Sequence, residues 1–166
     1  MITYENIHHE FEPVFDENSW VLILGTFPSV KSREQNFYYG HPQNRFWKVL
    51  AALTGEVVPE TIEEKKALLL RNHIAIWDVI ASCDITGSSD SSIKNVVPVD
   101  LNRILEHSNI QQIFANGGTA KKLYEKYQKK QTGRGITGLP STSPANAAWS
   151  LEKLAEAWSP YVRFAG

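Results

Sequence analysis

Apolar residues in this chain fall into short unbroken runs separated by stretches where they recur every third or fourth position, a pattern that predicts strands and helices in alternation. Trp20-Val21-Leu22-Ile23-Leu24, closed by Gly25, reads as a strand buried on both faces. Pro42 then opens a helix with Phe46, Val49, Leu50 and Leu53 at helical spacing and Gly55 at its end, so Asn44 and Arg45 fall in or near its first turn. Thr61 and Glu64 have capping-box spacing at the head of a helix that runs through Leu68-Leu69-Leu70 to Asn72, and Ile74-Ala75-Ile76-Trp77 follows as a buried strand. From Ser82 to Pro98 the chain turns polar and rich in glycine and serine, which reads as one long loop. Asp100 caps a helix carrying Leu101, Ile104 and Leu105, and Ile110 to Phe114 gives a strand leading into Asn116-Gly117-Gly118. Ala120, Leu123, Tyr124 and Tyr127 mark the next helix, Gly135 to Leu139 a weaker strand, Ser141 to Pro144 a loop, and Ala147, Leu151, Leu154, Ala155 and Trp158 the last helix.

This order predicts an α/β fold, a three-layer α/β/α sandwich with a mostly parallel central sheet. In such sheets ligands bind outside the carboxyl ends of the strands. The loops after Leu24, Trp77, Phe114 and Leu139 are therefore expected to meet at one edge. At 166 residues the chain holds one full core and is too short for two ordinary domains, so a single domain over 1–166 is expected.

Composition narrows the setting. A formal charge of -1 supplies no global field for nucleic acid, so any phosphate contact has to come from a local patch. A single cysteine, Cys83, rules out an internal disulfide and a cysteine-clamped zinc or iron-sulfur site, and fits a reducing cytoplasmic compartment. The segment Met1 to Glu10 has neither a basic start nor an apolar run, and no stretch is long and apolar enough for a membrane span.

The densest chemistry lies in Phe37-Tyr38-Tyr39-Gly40-His41-Pro42-Gln43-Asn44-Arg45-Phe46-Trp47. Helix-start and core roles account for Asn44, Phe46 and Trp47; grouped aromatics beside an amide and a cation suit stacking on a planar ring. There is no phosphate loop, no G-x-G-x-x-G and no G-x-S-x-G, which removes the main support for nucleotide-hydrolysing, dinucleotide-binding and esterase roles. His8 and His9 lack spaced partners and read as solvated surface residues, with no metal expected. Lys121, Lys122, Lys126, Lys129, Lys130 and Arg134 read as a solvated helix face, and Ser141, Thr142, Ser143 and Asn146 as a small-polar turn capping the last helix.

Taken in order, Gly25-Thr26-Phe27-Pro28-Ser29, the central aromatic motif and Leu139-Pro140-Ser141-Thr142-Ser143-Pro144-Ala145-Asn146 resemble the uracil-DNA glycosylase superfamily, most of all its DNA-deoxyinosine (hypoxanthine) glycosylases. The resemblance covers nearly the whole chain. It implies a four-stranded parallel sheet between helices and a monomer that needs no cofactor and acts on double-stranded DNA containing a deaminated base. Mismatch-specific uracil glycosylases place a water-positioning asparagine two residues after the first-motif glycine. Phe27 stands there in this chain, removing the residue on which that route depends.

In the deoxyinosine group, catalysis is credited to the asparagine before Arg-Phe-Trp, which matches Asn44. On this resemblance Asn44 orients water. His41 either donates to the leaving base or anchors its loop, the second role being the more ordinary. Gly25, Thr26, Phe27, Pro28, Ser29, Phe37, Tyr38 and Tyr39 form the base pocket, with Asp78 and the Ser88 to Asp90 stretch lining it or supporting its loops. Asn116, Gly117, Ser141, Thr142, Ser143 and Asn146 face the DNA, Asn146 filling the gap left by the extruded base. A broader uracil or xanthine glycosylase, and a non-catalytic nucleic-acid-binding module of the same fold, are the rival readings.

Overall fold

The computed structural model describes residues 3–9 and 11–162; Met1, Ile2 and Glu10 of the N-terminal segment lie outside the described residues. Four parallel strands form the central sheet: β2 (Val21–Gly25), β3 (Ile74–Asp78), β6 (Gln112–Asn116) and β7 (Thr137–Leu139), in the order β3-β2-β6-β7. Every residue of β2 and β3 is buried, as expected of strands covered on both faces. Helices pack around this sheet. α1 (Val30–Gln35) follows the first loop, α2 (Phe46–Thr54) and α7 (Leu151–Val162) pack on each other, α3 (Ile62–Arg71) lies against β3, and α5 (Gly118–Tyr127) against β6. Short helices α4 (Asn102–Leu105) and α6 (Lys129–Thr132) complete the set, and Ala147 sits in a turn ahead of α7. The expected box forms at α3, where Glu64 N donates to Thr61 Oγ1 at 3.0 Å and Thr61 N to Glu64 Oε1 at 3.1 Å.

The stretch from Ser82 to Pro98 departs from the loop that its composition predicts. β4 (Ile80–Ile85) and β5 (Lys94–Pro98) are antiparallel partners and, with β1 (Glu5–His8) on the far side of β4, make a second sheet in the order β1-β4-β5. Only residues 86–93, including a 3-10 turn at Asp90–Ser92, remain a connection. The exposed side of this sheet carries the polar residues that mimic a loop, Asn6, Asp84 and Asn95, joined by Asn6 Nδ2 to Asp84 Oδ1 at 2.9 Å and Asn95 Nδ2 to Asp84 Oδ2 at 2.6 Å.

Both borders of the parallel sheet are short or covered. β7 has three residues and runs into Pro140, while β3 is flanked by Val14, whose N–H and C=O pair with Ile76 at 3.0 Å each.

Candidate active site

The four predicted loops do meet at the carboxyl ends of the parallel strands, around a cavity of about 320 Å³, near the lower end of volumes typical for small-molecule sites. Gly25 to Ser29 form one wall, Asp78 and Asn116 close the strand ends, Ser141 to Ala145 form the opposite wall, and Tyr38, Tyr39, His41 and Asn44 enter from the central motif. Ser88 and Asp90 join from the 86–93 connection, which is tied to α1 by Val30 N donating to Ser88 Oγ at 2.8 Å.

Asn44 stands just before α2 and is held by its oxygen alone. Oδ1 accepts from Phe46 N at 2.9 Å and from Thr142 Oγ1 at 2.8 Å, filling both lone pairs. Behind it, Asn116 Nδ2 donates to Thr142 Oγ1 at 3.0 Å, and Thr142 N donates to Asn116 Oδ1 at 3.0 Å. These bonds fix the Asn44 amide; its Nδ2 has no partner among the described residues, and Asn44 lines the cavity. Asn44 therefore offers a donor there, a group that can hold a water or read the edge of a base.

Arg45, the cation of the central motif, is a clamp on the opposite wall. Its guanidinium donates to the carbonyls of Ser143 at 2.9 Å, Asn146 at 3.1 Å and Trp149, and its own N–H to Thr142 O at 3.1 Å.

The aromatics divide. Phe37 does not reach the cavity; it is buried and stacked on Trp47 with centroids 6.1 Å apart. Tyr38 lines the cavity but is almost wholly buried, its hydroxyl donating to Glu12 O at 2.8 Å, so it is a wall and not an exposed stacking platform. Tyr39 also lines the cavity, and its backbone is left-handed, with φ of 53°, a strained choice for a bulky residue. Its ring stacks on Phe46 at 3.8 Å, and its buried hydroxyl has no hydrogen-bond partner among the described residues. Burial first, and the charge of Asp78 second, push the Tyr39 phenol above its ordinary range, so it stays an O–H donor. Phe27 is half-buried on the first loop, its ring in the cavity wall with the Arg33 guanidinium 5.8 Å from its centroid.

His41 lines the cavity with Nδ1 accepting from Gln43 N at 3.1 Å; that bond anchors the loop and leaves Nε2 as the donor. Among residues expected to face DNA, Ser141 and Ser143 are half-buried on the cavity wall. Thr142 and Asn116 are buried supports of Asn44, and Gly117 is buried beneath Ser141 with φ of 99°, where a β-carbon would lie 3.2 Å from Ser141 Cβ. Asn146 donates Nδ2 to Ser141 O at 3.0 Å, so its amide braces the loop and does not project from it.

One further group at the site went unread in the sequence. His9, expected at the surface, is buried with Nε2 2.8 Å from Asp78 Oδ2. The one available signal was the alternation of Ile7, His9 and Phe11 along the sequence, and all three are partly buried while Asn6 and His8 are exposed. Asp90, from the Ser88 to Asp90 stretch expected to line the pocket or support its loops, stands at the cavity rim; crowding out of water and then the Asp78 charge raise its carboxyl above the ordinary value.

Fold and cavity together define a doubly wound α/β protein whose strand-end pocket combines aromatic walls with amide, phenol and carboxylate groups able to read a planar heterocycle. Residues 12–161 match the family pattern described as the uracil DNA glycosylase superfamily, and the chain belongs to that superfamily. It is 34% identical over 161 residues, 95% of this chain and 99% of the relative, to a protein of Methanosarcina acetivorans named hypoxanthine DNA glycosylase. A protein of the same name from Methanosarcina barkeri is 40% identical over 86 residues, about half of each chain. The solution NMR structure of a uracil DNA glycosylase candidate from Methanosarcina acetivorans superposes with a TM-score of 0.78 at 34% identity, covering 92% of this chain and 94% of that one.

Proposed function

We propose that this protein is a DNA-deoxyinosine glycosylase that hydrolyses the N-glycosidic bond of hypoxanthine in double-stranded DNA and so initiates base excision repair. The observation that carries the reading is the Asn44 amide, its oxygen locked by Phe46 N and Thr142 Oγ1 and its NH₂ presented to a pocket walled by Phe27 and Tyr39. Membership of the superfamily and the names of the two relatives support it.

The target base has to leave the duplex to enter such a pocket, which costs a few kcal/mol and less for a mispaired base. Phe27 covers one of its faces. As the bond to the sugar breaks, negative charge gathers on the base, and donors fixed beforehand stabilise it without reorganising. Asn44 Nδ2 and the Tyr39 hydroxyl are such donors. Attack by water also needs an acceptor, and Asp90 at the rim supplies one. Ser141 and Ser143 grip the flanking phosphates from the opposite wall, their loop held by Arg45.

The chain acts as a cytoplasmic monomer in this reading. Among the described residues no helix is long and apolar enough to cross a membrane.

Release of free base from duplexes carrying one deoxyinosine, deoxyuridine or deoxyxanthosine in the same context tests the proposal. Fast release of hypoxanthine and slow release of uracil is the expected result. Equal rates on uracil overturn the specificity, and no release of hypoxanthine overturns the activity.

A further inference from the structure

His9 belongs to none of the three motifs behind the functional reading, yet it is built into the back of the pocket. The extended segment after β1 delivers it, with His9 N donating to Ala81 O at 2.7 Å. Phe11, Tyr38 and Phe27 surround its ring at centroid distances of 4.5, 5.7 and 6.2 Å. The His9 and Asp78 side chains are 3% and 5% exposed, and their Nε2 and Oδ2 atoms lie 2.8 Å apart.

The other ring nitrogen settles the direction of this bond. Nδ1 is buried with no partner among the described residues. A protonated ring would bury a charged N–H without an acceptor, while a neutral ring with its proton on Nε2 buries only a lone pair. His9 therefore donates, and Asp78 accepts as a carboxylate with Oδ2 occupied. Asp78 Oδ1 has no donor among the described residues and lies over Gly25, where any β-carbon would collide with it. The carboxylate consequently shows the pocket one acceptor oxygen in one orientation, near the unpartnered Tyr39 hydroxyl, which would lie 3.0 Å from that same β-carbon.

An acceptor beside donors is the complement of a lactam edge. Hypoxanthine carries a ring N–H next to a carbonyl, and deamination creates that pair; adenine carries a bare ring nitrogen next to an amino group. With adenine in the pocket, a lone pair faces the carboxylate and an N–H₂ faces the donors, and buried polar groups left unmatched are how a site rejects a near-isostere.

Resting on the glycosylase reading above, we propose that His9 is a positioning residue for base selection: by donating to Asp78 Oδ2 it turns Oδ1 into the acceptor that takes the ring N–H of a deaminated base and excludes adenine.

The test compares binding, by fluorescence anisotropy, of duplexes carrying uncleavable 2′-fluoro-arabino forms of deoxyinosine or deoxyadenosine opposite thymine. Unpairing costs are the same for every protein variant and cancel when inosine-to-adenine affinity ratios are compared. His9→Leu is expected to cut the ratio by about tenfold or more, the value of one charge-assisted hydrogen bond, with inosine binding weakened and adenine binding not weakened. His9→Gln, whose amide N–H can reach Asp78, is expected to restore most of it. An unchanged ratio in His9→Leu overturns the proposal, as does equal loss in the leucine and glutamine variants, which would mark a merely structural residue. If His9→Leu is unfolded at the assay temperature, the ratio is read on Asp78→Asn, whose amide can turn an N–H to the pocket; an unchanged ratio there overturns the proposal equally. Release of hypoxanthine from cleavable deoxyinosine by the unmutated protein is measured alongside. Its absence removes the activity and this proposal with it, whereas release with an unchanged ratio removes only the role of His9.

Discussion

Replacing Asn44 by alanine and by aspartate separates two jobs that one amide performs. Its oxygen receives Phe46 N and the hydroxyl of fully buried Thr142, so alanine strips a helix-start bond and orphans a buried donor. The first loss is about 1 kcal/mol and the second about 1–3 kcal/mol, giving roughly 2–4 kcal/mol in all. For a chain of this size that corresponds to a Tm lowered by roughly 5–15 °C. Aspartate keeps both acceptor bonds and places a negative charge at the start of α2, where the helix dipole favours it, so the Tm is expected to stay close to that of the unmutated protein. Catalysis should divide differently. Both variants lose the open NH₂, and removal of one fixed donor aimed at developing charge costs about 10²–10³ in rate. The assay is single-turnover cleavage of a labelled deoxyinosine duplex, run beside thermal melts. An aspartate variant within about threefold of the unmutated rate would refute the donor role, and an alanine variant with an unchanged Tm would refute the hydrogen-bond chain.

Arg45→Lys keeps the charge but loses the planar fork that reaches Ser143, Asn146 and Trp149, so a loss of about 2–3 kcal/mol, read as a lower melting temperature, and protease cleavage within 141–149 are expected. Tyr39→Phe removes a buried hydroxyl without a partner, so denaturant unfolding should show equal or greater stability while base release slows; a stable variant with full activity contradicts the reading. Asp90 has a raised pKa, so its carboxylate is lost as pH falls through a value above the ordinary aspartate range. A pH–rate profile should show an acid limb there that disappears in Asp90→Asn. His41→Ala, which removes the Nδ1 anchor for Gln43 N, should slow base release less than either Asn44 variant under the same assay.

The parallel strands and the α3 cap were legible because their causes are local: unbroken apolar runs for strands covered on both faces, and a threonine three residues ahead of a glutamate. Convergence of the strand-end loops followed from topology. Legibility stopped where a side chain's place depends on distant chain. Ser82 to Pro98 looks like a loop until β1, more than seventy residues earlier, pairs with β4 through Glu5–Ile85 and His8–Ser82, and the same pairing takes His9 inward. The aromatic run fails differently. Residue types alone do not show that Phe37 goes to the core while Tyr38 and Tyr39, the latter with a left-handed backbone, line the pocket. Arg45 could be named as a cation of the motif, but not as a ligand of carbonyls a hundred residues away.

The borders of the central sheet also bear on how the protein behaves in bulk. Exposed strand margins template cross-β growth, and three-residue β7 beside Pro140 and β3 shielded by Val14 leave little free backbone to recruit a neighbour. Any edge-to-edge association of folded copies is therefore expected to begin at the smaller sheet, whose outer strands β1 and β5 are mostly exposed, and not at the central one.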